Sequence, residues 1–168
     1  MTRSRDPADS DPADSDPADT ALADRQITLS RLIAASPQKV WTCWTDPTLI
    51  ARWFGPDGHT CITRDINLVQ GGQWRFDMIG PDGTVWPNRH RITLYAPFTR
   101  IEFLMDGDND AQEPMQVHVT LAAEGSGTRL TQTITLPNAA ARQHALGFGA
   151  DRLGMQTMGK LAALAETL

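Results

Sequence analysis

Residues 44–56, WTDPTLIARWFGP, decide how this chain begins to fold. The Asp46-Pro47 pair predicts a helix start, because aspartate can cap the free N–H groups of a first turn and proline fits the first helical position. Apolar side chains then recur at helical spacing as far as Trp53, and Gly55-Pro56 ends the helix. The stretch therefore predicts one short helix.

The segment before this stretch predicts a strand and another short helix. Residues 26–33 alternate polar and apolar side chains, which is typical of a strand with one buried face. Ser36-Pro37 combines a capping residue with proline, and Val40, Trp41 and Trp44 follow at helical spacing. Two short helices directly after one strand are an unusual beginning.

The segment after it predicts six further strands with short turns, which must pair mainly antiparallel. Turn residues such as Pro81-Asp82-Gly83 and Gly125-Ser126-Gly127 separate them. The predicted strands are residues 59–68, 73–79, 86–95, 100–106, 115–123 and 128–136.

One long helix, from Asn138 to Leu168, is predicted to end the chain. Gly147, Gly149 and Gly154 weaken its first half and predict a kink or close packing there. A stripe of apolar or small residues runs along one side of it: Met155, Met158, Leu161, Ala162, Ala165 and Leu168. The predicted fold class is α+β, a curved antiparallel sheet around this helix with two short helices after the first strand.

Four motifs occur in the order typical of one family. Residues 44–56 resemble the pattern W-x-D-P-x-x-L-x-x-W-[WF]-x-P. Gly71-Gly72-x-Trp74-x-Phe76, Gly80-Pro-Asp-Gly83 and Pro97-x-x-Arg100-Ile101 follow it. Over residues 26–168 the chain resembles the stand-alone bacterial branch of the activator of heat-shock protein 90 ATPase homologues, within the START/Bet v 1-like (SRPBCC) superfamily.

This resemblance implies a helix-grip fold with a cavity between the sheet and the C-terminal helix. Superfamily members hold lipids, polyketides, hormones and other apolar molecules there, and a few catalyse cyclisation or dehydration. The eukaryotic co-chaperones carry a further N-terminal domain that residues 1–24 do not replace, so association with heat-shock protein 90 is not expected.

The chain also departs from the family pattern. In the fourth strand it has His90 and Leu94 where relatives commonly have glycine and glutamate, and in the last helix it has Met155 where many have tryptophan. A polar site that depends on that glutamate is therefore not expected.

Strand alternation indicates which side chains face the C-terminal helix. This face is apolar except for two polar residues, His90 and Gln132. In the fourth strand, His90 is predicted to face the same way as Ile92 and Leu94. A solid core and a ligand-sized cavity both account for such a face. The candidate ligand-binding residues are Trp53, Phe54, Trp74, Phe76, Met78, His90, Ile92, Phe103, Met115, Val117, Gln132, Phe148, Met155 and Met158.

His90 is the polar residue on which the functional alternatives depend. A buried polar group without a partner costs about 1–3 kcal/mol, so His90 is expected to contact Gln132, a water or a ligand. One function is a binding protein for a small hydrophobic molecule of lipid, polyketide or aromatic type. Another is a START-like enzyme of cyclase or dehydratase type with His90 as acid or base. A third, which the resemblance implies, is a chaperone-interacting protein of the heat-shock protein 90 activator type, which would bind through its exposed surface and needs no cavity. Binding is favoured because His90 has no evident carboxylate partner, and no catalytic residue is assigned.

The tryptophans of the two short helices also allow two interpretations. Trp41, Trp44 and Trp53 can hold these helices against the sheet. Alternatively, Trp53 and Phe54 line the mouth of a cavity, and the loop that follows serves as its lid.

The N-terminus is a repeat, with DPADS, DPADS and DPADT at residues 6–20. Proline at every fifth position prevents a continuous helix, and the repeats offer little apolar surface. Residues 1–24 are therefore predicted to be a disordered acidic tail, and residues 25–168 the folded domain. The tail contains seven aspartates and two arginines, which leaves 13 acids and 13 bases from Arg25 onward. This neutral domain lacks the basic stripe of a nucleic-acid binder.

The remaining features predict a cytoplasmic protein without metal or cofactor. No apolar run approaches the ~20 residues of a membrane-spanning helix. Cys43 and Cys61 lack a disulfide framework, which favours free thiols in a reducing compartment. The histidines show no metal-ligand spacing, and Asp106, Asp108 and Asp110 predict a solvated acidic loop. Pairing of two copies through an exposed sheet edge is possible, but nothing in the sequence specifies such a homodimer.

Overall fold

The computed structural model describes residues 17–168, which form seven strands and five helices. These elements are α1 (Pro17–Ala23), β1 (Gln26–Ile33), α2 (Pro37–Thr45), α3 (Ile50–Trp53), β2 (Thr60–Ile66), β3 (Gln73–Ile79), β4 (Val85–Ala96), β5 (Arg100–Asp106), β6 (Met115–Glu124), β7 (Gly127–Thr135), α4 (Ala139–Gly147) and α5 (Ala150–Ala165).

The seven strands form one antiparallel sheet in the order β1-β7-β6-β5-β4-β3-β2. Strands β2 to β7 follow one another as neighbours, and β1 pairs with β7, with Gln26 opposite Thr135 and Ile33 opposite Thr128. The sheet curves around the C-terminal helix, so the predicted α+β helix-grip class is confirmed. Strands β1, β3 and β5 have the bounds that alternation predicted.

Helix α2 follows its start signal in the sequence, but the predicted start of α3 at Asp46-Pro47 is wrong, because Asp46 ends α2 and α3 begins only at Ile50 after a turn. The Ser36 hydroxyl accepts a hydrogen bond from the backbone N–H of Lys39 at 3.3 Å and caps α2. The indole N–H of Trp53 donates to the backbone oxygen of Cys43 at 2.9 Å, which joins α3 to α2. The Trp44 ring packs edge-on against Trp53, with 4.7 Å between ring centroids. Both tryptophans are buried and hold the two helices against the sheet.

The prediction of one continuous helix from Asn138 to Leu168 is wrong, because the chain breaks between α4 and α5. Gly149 has a φ of +86°, in the left-handed region that favours glycine. The predicted close packing occurs at Gly154, where a Cβ atom would overlap Cδ1 of Leu29 on β1. These two glycines therefore reorient the chain and bring α5 close to the sheet.

A β-bulge in β4 corrects one alternation prediction. His90 and Ile92 face inward as expected, but the register shifts between Ile92 and Leu94. Leu94 consequently lies opposite Glu102, and Tyr95 takes the inward position and packs against the core. Bulges insert one extra residue, which reverses the facing of every residue that follows.

The acidic loop after β5 is not solvated as predicted. Asp106 is buried and accepts hydrogen bonds from Arg89 and Arg91, and Asp108 accepts from Arg75. Burial by itself raises the pKa of Asp106, but the bonds from Arg89 and from the backbone N–H of Asp108 hold that pKa below its ordinary value. Only the third aspartate of the loop has an exposed side chain.

The last repeat of the acidic tail contributes to α1, where composition predicted disorder. Pro17 is the last proline before residue 37, so the helical residues that follow meet no further break. No residue of α1 is buried. The prediction for residues 1–16 lies outside the described residues. Within residues 17–168, no helix has the length and hydropathy needed to cross a membrane.

Candidate functional site

An apolar cavity of about 280 Å³ lies between the inner face of the sheet and α5. Side chains from β3 to β7, from α2 and α3, and from the α4–α5 region line it. Polar side chains are few in this wall, and they are Asn88, Gln132 and Thr157. The inner face predicted from alternation therefore encloses a cavity, and the core around it is not completely filled.

Eight of the fourteen predicted site residues line this cavity. Phe54 follows α3, Phe148 lies at the α4–α5 junction, and Met158 comes from α5. The eight are Trp53, Phe54, Met78, Phe103, Val117, Gln132, Phe148 and Met158.

Four predicted residues are buried but lie outside the cavity wall. They are Trp74, Phe76, His90 and Ile92. The Phe54 ring lies against three of them, with centroid distances of 5.5 Å to Trp74, 5.5 Å to Phe76 and 4.9 Å to His90. Phe54 therefore forms the wall at this point.

The other two, Met115 and Met155, are half-buried. Met115 packs against the core beside the cavity. Met155 lies on the side of α5 that faces away from the cavity. Residues 154, 157, 158 and 161 form the helix face that lines the cavity. Position 155 is rotated by more than a quarter-turn about the helix axis from the centre of that face.

Ten lining residues were not among the predicted site residues. Asn88, Met105 and Ile134 could have been found by alternation, since each lies two residues from an inward-facing one. The additional lining residues on α5 could be predicted only from the rotation of α5 about its axis relative to the sheet, which the sequence alone did not determine. The ten are Trp44, Pro56, Asn88, Met105, Ile134, Ala150, Leu153, Gly154, Thr157 and Leu161.

His90 lies in an aromatic cluster with no hydrogen-bonding partner for Nε2 among the described residues. Its ring stacks on Phe103 at 4.4 Å between centroids and meets Phe54, Phe76 and Trp74 edge-on. Burial lowers the pKa of His90 to about 3, against a smaller opposing effect of Asp106. The expected contact between His90 and Gln132 is absent, and the imidazole is neutral near pH 7.

Gln132 is the polar side chain that stays available inside the cavity. It makes no hydrogen bond to another described side chain or backbone group, although it lies between Leu29 and Val119 in the sheet. In contrast, the Asn88 amide donates to the backbone oxygen of Trp86 and the Thr157 hydroxyl donates to that of Leu153. A polar atom on a bound molecule can therefore meet the free amide of Gln132 or the remaining oxygen and N–H of Asn88.

A second cleft continues the cavity to the surface. It shares Pro56, Met78, Phe148 and Leu153 with the cavity and adds Trp86, His59 and His144. The Trp86 and Phe148 side chains are 56% and 57% exposed, although both are large and apolar. The four shared residues border both spaces, which places this cleft directly beside the cavity, and we call it the mouth.

Both cysteine thiols are free and stay protonated. Cys43 is buried, and the Cys61 thiol donates to the backbone oxygen of Phe54. Burial raises the pKa of each thiol to about 11. Neither has the lowered pKa of a nucleophilic cysteine.

A curved antiparallel sheet closed by a C-terminal helix over an apolar cavity defines a helix-grip protein. The chain belongs to the family described as Activator of Hsp90 ATPase homolog 1-like protein, whose model matches residues 34–166. The family that the motifs resembled is thereby confirmed.

Solved structures share this fold. Protein Ms6760 from Mycobacterium smegmatis is 25% identical, over 87% of this chain and 94% of that one, with a TM-score of 0.77. Protein NE0264 from Nitrosomonas europaea is 23% identical, over 86% and 96%, with a TM-score of 0.78. An AHSA1-like protein from Aeromonas hydrophila is 24% identical, over 84% and 92%, with a TM-score of 0.63. No match was found among curated proteins.

Proposed function

We propose that this protein binds a small, mainly apolar molecule in the cavity between the sheet and α5, without transforming it. The carrying observation is a partly open cavity of about 280 Å³ with an almost wholly apolar wall. An apolar cavity of ~150 Å³ accepts benzene, and drug-sized ligands occupy ~300–1,000 Å³. The volume suits a ligand of about ten carbon atoms, such as a fused two-ring aromatic.

Gln132 supplies the recognition of one polar group on that ligand. Its amide is free inside the cavity, and an amide can both donate and accept. A ligand with a single hydroxyl or carbonyl group satisfies this amide and fills the apolar volume with its remaining atoms. The exposed Phe148 and Trp86 at the mouth favour an aromatic or aliphatic ligand entering from that side.

The titratable groups nearby support binding over catalysis. His90 lies behind Phe54, and its lowered pKa leaves it a poor proton acceptor near neutral pH. Both cysteines have raised pKa values. The cavity wall itself contains amide and hydroxyl groups but no Asp, Glu, Lys, Arg or His among the described residues.

The test is a titration with 1-naphthol and with naphthalene, which differ by one hydroxyl group. Tryptophan emission reports binding, because Trp44 and Trp53 line the cavity. We expect the wild-type protein to bind 1-naphthol more tightly than naphthalene. Gln132→Leu should remove this preference, and Val117→Phe should abolish binding of both by filling the volume. Val85→Phe, at a half-exposed position on β4, is the control and should bind like the wild type.

Native mass spectrometry of gently purified protein gives an independent readout. A co-purifying molecule of this size, absent from Val117→Phe, supports the proposal. Equal naphthol binding by the wild type and a folded Val117→Phe variant would show that the cavity is not the site.

Association with heat-shock protein 90 is a second candidate, which the family description favours. It predicts that this protein changes the ATPase rate of a heat-shock protein 90, and that Val117→Phe, with an intact surface, changes it equally. An ATPase rate that does not respond to the wild-type protein would remove this candidate.

A further inference from the structure

Helix α5 borders a second concave surface, on the side opposite the cavity. Residues at positions 152, 155, 156, 159, 160 and 163 share this face. Together with Arg31 of β1 and Asp57 of the loop after α3, they form a surface groove that we call the outer groove. Met155, predicted from the sequence to face a ligand inside the cavity, lies here instead.

The outer groove has an unbalanced positive charge. Arg31, Arg152 and Lys160 line it against one acidic residue, Asp57, and none of the three cations forms an ion pair within residues 17–168. The arginines on the sheet are different: Arg64, Arg75, Arg89, Arg91, Arg100 and Arg129 each pair with a carboxylate. Of the seven cations from Arg25 onward that form no ion pair with a described residue, three lie in this one groove; the other four are Arg25, Lys39, Arg52 and Arg142.

Lys160 is held in place without being neutralised. Its ammonium group donates to the backbone oxygens of Pro56 at 3.5 Å and His59 at 3.3 Å. Carbonyl groups fix the position of the nitrogen but leave the full positive charge, and an ammonium group has a third donor. Lys160 can therefore act on an anion in the groove.

Arg31 carries a donor that has no acceptor. Its Nε atom is buried and unpartnered, and no described residue accepts from any other nitrogen of this guanidinium. Its Nη1 atom would be 3.7 Å from a Cβ atom placed on Gly159, so the glycine leaves the guanidinium beside the α5 backbone. A buried unpaired donor is costly, and the two Nη groups at the end of the same guanidinium form a fork that matches two oxygens of a carboxylate or phosphate.

We propose that the outer groove binds an oxyanion, a phosphate or carboxylate group, through the Arg31 fork, with Lys160 supplying a second positive charge in the same groove. Met155 provides an apolar surface next to these cations, on which the organic part of the ligand can pack. This site is separate from the cavity on the other side of α5 and does not depend on its occupant.

The test follows the side chain of Arg31 directly by NMR. Inorganic phosphate, acetate and potassium chloride are titrated at matched ionic strength into the full chain, and the Nε–Hε resonances of the arginines are recorded. We expect the Arg31 resonance to shift with phosphate and acetate but not with chloride. Arg31→Met should weaken phosphate binding about tenfold or more, which corresponds to about 1.4 kcal/mol. Arg31→Lys keeps the charge but not the fork, so its affinity for phosphate should lie between those of the wild type and Arg31→Met.

Arg100→Gln is the matched control, because Arg100 pairs with Glu102 on β5, away from α5. It should bind phosphate like the wild type. Without phosphate, Arg31→Met should unfold at no lower temperature than the wild type, because the variant removes an unsatisfied buried donor. Phosphate should raise the unfolding temperature of the wild type and of Arg100→Gln more than that of Arg31→Met.

Two sources of phosphate are distinguished by flotation with phosphatidylcholine vesicles, with and without phosphatidic acid. Arg31-dependent flotation with phosphatidic acid assigns the site to a lipid headgroup, and phosphate binding without flotation assigns it to a free phosphate compound. An Arg31 resonance that responds equally to chloride, or an Arg31→Met variant that binds phosphate as tightly as the wild type, would overturn the proposal.

Discussion

Replacing His90 by leucine is expected to remove an acid-sensitive contribution from the stability of this protein. The imidazole is buried among four aromatic rings, and its Nε2 atom has no partner among the described residues. Burial lowers the pKa of His90 from 6.5 to about 3. Between these two values the unfolded chain binds a proton at this position and the folded chain does not.

The sign and size of the effect follow from proton linkage. Because protonation favours the unfolded state, the free energy of unfolding decreases as the pH falls below 6.5, by up to about 1.4 kcal/mol per pH unit. At pH 5 the loss is about 2 kcal/mol, and this figure holds for any folded-state pKa well below 5. The loss is complete only when the pH falls below the folded-state value.

Urea unfolding of the wild type and His90→Leu at several pH values between 8 and 5 measures this effect. Titration of other groups is common to both proteins, so the difference between their free energies of unfolding isolates His90. We expect this difference to move in favour of the variant by about 2 kcal/mol over that range. His144→Gln removes an exposed histidine and serves as the control. A difference between the wild type and His90→Leu that does not change with pH would refute the idea that the fold keeps His90 neutral.

Three further substitutions test other contacts by urea unfolding. Asp106→Asn should destabilise the fold by about 1–3 kcal/mol, because Arg89 and Arg91 lose the buried carboxylate that they share while Arg89 keeps its ion pair with Asp110; an unchanged free energy of unfolding would contradict this. Trp53→Phe should cost about 1–3 kcal/mol by leaving the buried backbone oxygen of Cys43 unpaired, and an unchanged midpoint would argue against that bond. Gly149→Ala should cost about 1–2 kcal/mol, because alanine disfavours the left-handed backbone between α4 and α5; a stabilised variant would show that this junction can adopt another conformation.

Several parts of the fold follow from local sequence, and the structure agrees with them. The capping signal at Ser36-Pro37 produces α2, and alternation gives the bounds of β1, β3 and β5. These features depend on residues within one turn or one strand, where hydrogen bonding and side-chain periodicity act over a few positions. The order of the motifs also identified the family correctly.

The composition of the cavity wall could be predicted only in part. Alternation placed Phe103, Val117 and Gln132 inward, and they do line the cavity. It also placed His90 inward, but it could not show that Phe54 would cover the imidazole. Phe54 and His90 are 36 residues apart, so their contact depends on how α3 docks against β4.

By itself, the sequence determined the elements, their fold class and the apolar inner face of the sheet. Tertiary structure decided which part of that face borders a cavity and that the chain turns at Gly149. It also decided that Met155 lines the outer groove together with Arg31 and Lys160. The physical reason is that periodicity fixes the direction of a side chain relative to its own strand or helix. The distances and rotations between elements result from the packing of many residues that are remote in sequence.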